Sequence, residues 1–158
     1  LNTAGIGSVA GGTNGAAPTF DNMVDLETLV SVANANIGNL GYLTNAKVRG
    51  KLKKTLEASA AGSEKVWMKD NTINGYSATV SNQVPSDLTK GTATGICSAI
   101  MFGNWADLIL GMWSGLDLMI DPYTQSTSGT VRIVGLQDVD YACRQPASFA
   151  VMADALTT

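Results

Sequence analysis

The sequence predicts an α+β fold: helices first, then mostly antiparallel strands, with a long hairpin late. Three observations carry that prediction. Apolar residues recur at helical spacing in two segments between residues 21 and 58. From Lys65 onward the pattern changes to short apolar or alternating runs, the signature of strands. Helices first and mostly antiparallel strands later is the order of an α+β chain. At 158 residues the chain suits one domain, or one domain with a lobe.

Residues 1–18 are rich in Gly, Ala, Ser, Thr and Asn, have no sustained period, and read as an extended leading segment. A helix is expected from Asp21 to Asn36. Thr19 or Asp21 can cap it, since a side-chain oxygen there accepts from free first-turn amides. Met23, Leu26, Val30, Ala33 and Ile37 share one face, and burying each large one contributes about 1.5–3 kcal/mol. Gly38 and Gly41 are natural stops. Gly41–Leu43 reads as a short connector. A second helix is expected from Asn45 to Ala58, capped by Thr44 or Asn45, with Val48, Leu52 and Leu56 as its inward stripe. Gly50 weakens that helix by about 1 kcal/mol relative to Ala. Ala58–Glu64 is a loop of small residues.

Val66–Lys69 is a candidate strand, and Asn74-Gly75 is a tight-turn signal. Tyr76–Val84 reads as a strand ending at Pro85, Lys90–Gly95 as a loop, and Gly95–Phe102 as a central apolar strand. Gly103-Asn104 reads as a turn, and Trp105–Leu110 fits either a helical turn or a strand. Leu116, Leu118 and Ile120 alternate with Asp117, Met119 and Asp121, which predicts a half-buried strand stopped by Pro122. Residues 124–130 form a loop. Val131–Arg144 reads as one long strand, with Gly135 as its bulge site. Pro146 breaks it, and Ser148–Met152 is a last short strand before a fraying tail.

Composition excludes several classes. With no histidine, Ser-His-Asp and Cys-His catalysis and imidazole-ligated zinc are ruled out in their usual forms. Charged residues are 15% of the chain, against about 25% in typical domains. The net charge of −3 gives no general drive toward nucleic acid or anionic membrane. Half of the ten basic residues, Lys47, Arg49, Lys51, Lys53 and Lys54, lie in one segment. A solvated helix face accounts for such a run, and a polyanion contact is the other reading. Cys97 and Cys143 have neither zinc spacing nor disulfide-scaffold density, and both are expected to be reduced and buried. No apolar run is long enough to span a bilayer as a helix, and no signal peptide is visible. The chain opens at Leu1, without an initiator methionine, as the middle of a longer protein would.

The candidate chemistry is sparse. Asp117 and Asp121 share a strand face roughly 13 Å apart, too far for a glycosidase pair. Asp138 and Asp140 fall about 7 Å apart and meet the distance, though strand alternation alone accounts for them. Gly5-Ile6-Gly7-Ser8-Val9-Ala10 matches the dinucleotide pattern but lacks a helix opening directly from it. Trp67, Trp105 and Trp113 fit either a sugar or base platform or, more ordinarily, core and interface. No catalytic, cofactor-binding or metal-binding residue is therefore assigned.

The order of segments resembles the C-terminal half of the tailed-phage major capsid protein family. Leu1-Asn2-Thr3-Ala4-Gly5-Ile6 is similar to the stretch following the family's Pro-x-Gly-Ile turn. Gly41-Tyr42-Leu43-Thr44-Asn45-Ala46 resembles its hydrophobic strand leading into a helix, with Leu52-Lys53-Lys54 where Leu-Lys-Asp is frequent. Asn74-Gly75-Tyr76 through Pro85 resembles its Gly-Tyr/Leu-Pro-Val segment, and Met101-Phe102-Gly103-Asn104-Trp105 its Phe-Gly-Asp-Phe. Asp121-Pro122-Tyr123-Thr124 matches a frequent Asp-Pro-Tyr-Thr. Arg132, the Gln137–Asp140 stretch and Gln145-Pro146-Ala147-Ser148-Phe149 resemble the strand ending in Pro-x-Ala-Phe. Asn104 departs from the usual Asp, and Ser148 separates Ala147 from Phe149.

The resemblance implies the phage major capsid protein fold and a structural, non-enzymatic subunit that assembles with copies of itself. It implies an axial-like domain, a mixed or antiparallel sheet with flanking helices, at 15–110 with 146–158, and a long β-hairpin of a truncated peripheral domain at 111–145. Pentamers and hexamers would build an icosahedral shell in the virion, after synthesis in the host cytoplasm, with packaged DNA inside held without specific binding and no membrane. The family's arm, extended loop and spine helix would lie upstream. Leu116, Leu118, Ile120, Val131 and Ile133 should then be partly uncovered, or covered by a neighbouring chain. Gly129 stands where some relatives carry a cross-linking Asn, so cross-linking is not implied. Two other readings are a β-rich ligand-binding module using the tryptophans, and an Asp-dependent hydrolase.

Overall fold

The structure, a computed structural model, describes residues 3–59 and 62–157. Along the chain come β1 (Gly7–Ser8), α1 (Phe20–Val32), β2 (Leu40–Thr44), α2 (Ala46–Leu52), β3 (Thr72–Ile73) and β4 (Tyr76–Val80). They are followed by β5 (Leu88–Lys90), β6 (Ala93–Asn104), β7 (Leu108–Met112), β8 (Asp117–Asp121), β9 (Arg132–Leu136), β10 (Val139–Cys143) and β11 (Phe149–Leu156). The chain divides into two compact units, one running to Asp107 and resuming at Gln145, the other Leu108–Arg144.

The first unit is a mixed sheet in the order β1-β11-β6-β2-β4-β3, with β5 also pairing β6. The β1–β11 and β2–β4 pairs are parallel and the rest antiparallel. The expected α+β class, mixed sheet and late hairpin are therefore present. α1 packs on β11, β6 and β1. Its inward face is the predicted one, with Met23, Leu26 and Val30 fully buried against a core that includes Tyr42, Ile100, Phe102 and Met152. Thr19 caps it reciprocally with Asn22: each side chain accepts from the other's backbone amide.

Helix ends differ from expectation for identifiable reasons. α1 stops at Val32, not Asn36, because Asn34 turns left-handed (φ 54°). The Asn34 amide then donates to the Ser31 carbonyl and the Ala35 amide to that of Val30, the paired bonds of a Schellman termination. Ile37 is left 74% exposed. α2 is capped by Asn45, whose Oδ1 accepts from Val48 N at 3.0 Å, but ends at Leu52, six residues short of the predicted Ala58. There the backbone of Thr55 and Glu57 bonds instead to Val66 and Glu64, so Leu56 leaves the stripe.

The strands also need corrections. Gly41–Leu43 is no connector: it belongs to β2, an inner strand between β6 and β4. Val66–Lys69 is irregular. Val66 and Trp67 are buried, but their amides reach the Thr55 and Leu52 carbonyls rather than a ladder. Asn74 and Gly75, both at positive φ, form the predicted tight turn between β3 and β4. β4 ends at Val80 rather than Val84. The Lys90–Gly95 loop is a hairpin in which Lys90 pairs with Ala93.

Gly103 and Asn104 lie within β6, and the chain turns only at Trp105–Asp107. A Cβ on Gly103 would sit 2.4 Å from the Phe149 ring and 2.5 Å from the Ser148 carbonyl oxygen. The glycine there serves close approach of β11, not a turn. β11 runs to Leu156 instead of fraying, with a bulge between Met152 and Ala155. Both carboxylate oxygens of buried Asp154 accept from the Gly11 amide at 3.0 Å, and the Leu156 amide donates to the Ala16 carbonyl. The leading segment thus fastens the strand that sequence alone left loose.

The second unit is an antiparallel ribbon. β7 pairs β10, and β8 pairs β9. The expected single strand Val131–Arg144 is interrupted at Gln137–Asp138, where the opposite strand carries two extra residues. Gly135 is not the bulge, since it pairs regularly with Leu118.

Candidate functional site

The residues singled out for chemistry are each accounted for within their own unit. Gly7–Ser8 forms a strand parallel to β11, but the next helix begins only at Phe20. No helix N-terminus therefore faces the glycines, and the dinucleotide pattern lacks its phosphate-binding geometry. Asp117 and Asp121 lie on β8, and Asp138 and Asp140 beside or on β10, where strand pairing and turns account for them. The Asp121 carboxyl is held below its ordinary pKa by a hydrogen bond from the Thr124 hydroxyl and by the Tyr123 and Thr124 amides, with the Arg132 charge opposite adding to it. It closes the turn after β8. Asp138 presents its amide to the Ser114 hydroxyl at 3.1 Å, and Asp140 is exposed opposite Gly111.

Each tryptophan has its own packing partner. Trp67 is buried, its Nε1 donating to Asn71 at 3.3 Å. Trp105 donates to the Gly41 carbonyl at 3.0 Å and meets Phe149 edge to face. Trp113 belongs to the ribbon and lies over Gly111. Both cysteines are free thiols, Cys97 buried and Cys143 only half-buried. Among the described residues no group of three or more His, Cys, Asp or Glu could hold a metal ion. No helix among them is long and apolar enough to cross a membrane.

What the ribbon does present is apolar surface. Of the twenty large hydrophobic side chains exposed among the described residues, fifteen lie between Leu108 and Tyr141. The five that the family resemblance singled out are all exposed, Leu116 63%, Leu118 59%, Ile120 67%, Val131 57% and Ile133 68%, so β8 is not the half-buried strand that alternation predicted. Register explains why they form a patch. Ile120 pairs directly with Ile133 and Leu118 with Gly135, so this face carries no charge where the strands pair. The sequence reading missed a second face, on β7 and β10. There Leu108, Leu110 and Met112 lie opposite Cys143, Tyr141 and Val139. Its signal was the alternation of Leu108, Leu110 and Met112, obscured by Ile109 between them. A ribbon of two strands is marginal alone in water, and exposed apolar patches are the kind of surface that proteins use for association.

The predicted basic run is also on the surface. Val48 and Leu52 of α2 are buried, while Lys47, Arg49, Lys53 and Lys54 are exposed.

Comparison with known proteins gives a consistent picture. The family described as "Phage capsid family" matches residues 1–154. The major capsid protein of Halomonas phage phiHAP-1 is 36% identical over 132 residues, covering 84% of this chain and 20% of that protein. Among solved structures, the capsid of an empty GTA particle superposes with a TM-score of 0.68 at 20% identity, over 95% of this chain and 48% of the other. The virus-like particle from Pyrococcus furiosus gives 0.61 at 16% identity, over 96% and 58%. The chain thus spans a fifth of the curated relative and about half of the solved chains.

Proposed function

The chain belongs to the phage capsid family, and on that premise we propose that it is part of a shell-building subunit of a phage or prophage capsid. It works by presenting shaped surfaces to copies of itself and carries no reactive centre. Copies associate into pentameric and hexameric rings, and the rings close an icosahedral shell. The subunit folds in the host cytoplasm and ends in the virion.

In this reading the sheet unit is the axial-like domain, with 15–110 and 146–158, and the ribbon is the peripheral hairpin at 111–145. The observation that carries the proposal is the ribbon, with apolar faces on β8–β9 and on β7–β10 left open to solvent. An isolated protein gains nothing from such faces, because each exposed side chain forgoes about 1.5–3 kcal/mol of burial. A subunit that packs against neighbours recovers it on assembly.

Light scattering tests this. The purified protein should self-associate with concentration. Replacing Ile120 and Ile133 together by Lys should leave far-UV circular dichroism unchanged and abolish association, because two unpaired charges would enter the contact. A wild-type protein that stays monomeric at high micromolar concentration refutes the reading.

A further inference from the structure

Charge is distributed unevenly along this chain. Residues 47–69 hold seven of its ten basic side chains and two of its thirteen acids. That is a net charge of +5 there and −8 on the rest. We propose that the exposed face of α2 and the turn after it, with Lys65 beside them, is a binding surface for the phosphate backbone of duplex nucleic acid.

The geometry of α2 supports this. At 100° per residue, buried Val48 and Leu52 define the inward direction. Gly50 then points straight outward, flanked by Arg49 and Lys53 on one side and Lys47 and Lys54 on the other. Nothing lies within 4 Å of where a Gly50 Cβ would be, so a rod-like ligand can approach the helix backbone between two rows of cations. Lys65 joins them, its Nζ donating to the Lys54 carbonyl at 3.3 Å. Among the described residues no acidic side chain pairs with Lys47, Arg49, Lys53, Lys54 or Lys65.

Two other occupants fit less well. Cations near a helix C-terminus complement its dipole, but that effect fades within one turn and does not account for five. A second protein copy would need apolar contacts at the centre of the interface. Of the exposed large hydrophobics among the described residues, only Leu56, 40% exposed, lies in residues 47–69. A phosphate backbone requires charge and no apolar core. The negative balance of the rest of the chain does not cancel the local field, since screening limits it to about 10 Å at 0.1 M salt.

This extends the shell reading by naming a surface, but it rests on charge and can fail independently of assembly. Anisotropy of a labelled 30-base-pair duplex is the measurement. Binding should weaken about 10²–10³-fold between 50 and 200 mM salt, with a log–log slope near −4 for four to five phosphates neutralised. The variant with Lys47→Gln, Arg49→Gln, Lys53→Gln and Lys54→Gln should flatten that slope to about −1, with unchanged circular dichroism and thermal midpoint. Lys90→Gln, outside the patch, should change little. Absence of binding at 50 mM salt overturns the proposal, as does a quadruple variant that binds like the wild type. Salt-sensitive self-association lost in the same variant, without duplex binding, assigns the surface to a second copy instead and likewise overturns it.

Discussion

Polar side chains in the sheet unit are satisfied by partners far away in sequence. Thr44 donates to the Ala99 carbonyl, the Asn45 side-chain amide to that of Pro85, and Asn104 Oδ1 accepts from the Asn39 amide. Each would otherwise leave a buried donor or acceptor at a cost of about 1–3 kcal/mol. Tyr42 belongs to this set. Its ring packs against Phe102 and its hydroxyl donates to the Met23 carbonyl at 2.9 Å, tying β2 to α1. Burial pushes its phenol far above the ordinary value of about 10. Burial and then the Glu27 carboxylate, which accepts from its hydroxyl, raise Tyr76 as well. A raised folded-state pKa means the native state holds the proton more tightly than the unfolded chain does. The stabilisation is complete below about pH 10 and lost as pH climbs beyond it. Absorbance near 295 nm should therefore show Tyr42 ionising only together with loss of near-UV circular dichroism, and Tyr42→Phe should remove that component. Ionisation of Tyr42 near pH 10 in a still-native protein would contradict this.

Elements were legible where the deciding forces are local. The inward face of α1, the Thr19 and Asn45 caps, the Asn74-Gly75 turn and the central apolar strand all follow from spacing or backbone chemistry within a few residues. The stop of α1 was misplaced because Gly38 and Gly41 drew attention from Asn34, which reaches the left-handed region less readily than glycine but more readily than other residues. Asn34→Ala should therefore lower stability by about 1–2 kcal/mol, whereas Asn34→Gly should stay within about 0.5 kcal/mol of wild type. Urea unfolding measures both, and equal losses would show that the left-handed turn does not set the helix end. β2 was read as a connector from period for a different reason, although the family resemblance pointed to a strand there. Five residues with a glycine among them are too few to show a period, and β2 forms with β6 and β4 as ladders on both sides.

At the scale of the molecule, the two units differ in how their backbones are held. β6 has partners along both edges and sits over α1, while β7–β10 form only a two-stranded ribbon with exposed faces. Local opening follows burial and partner number. Hydrogen exchange should show the strongest protection around Ile100 and Phe102, and amides of β7–β10 exchanging at least ten times faster in the unassembled protein. Equal protection in both units would mean that the ribbon is covered. Residue type and short-range period, which the chain carries wherever it folds, were enough for the α+β class, the inward helix face, the late hairpin and the absence of histidine chemistry. The exposure of Leu116, Leu118, Ile120, Val131 and Ile133 came from the family resemblance instead, since period alone predicted a half-buried strand. It took the fold to show that Gly41–Leu43 is an inner strand, that the leading segment completes the sheet and that β11 runs to Leu156. Each depends on ladder bonds and close approaches between residues dozens to more than a hundred positions apart, which no local pattern encodes.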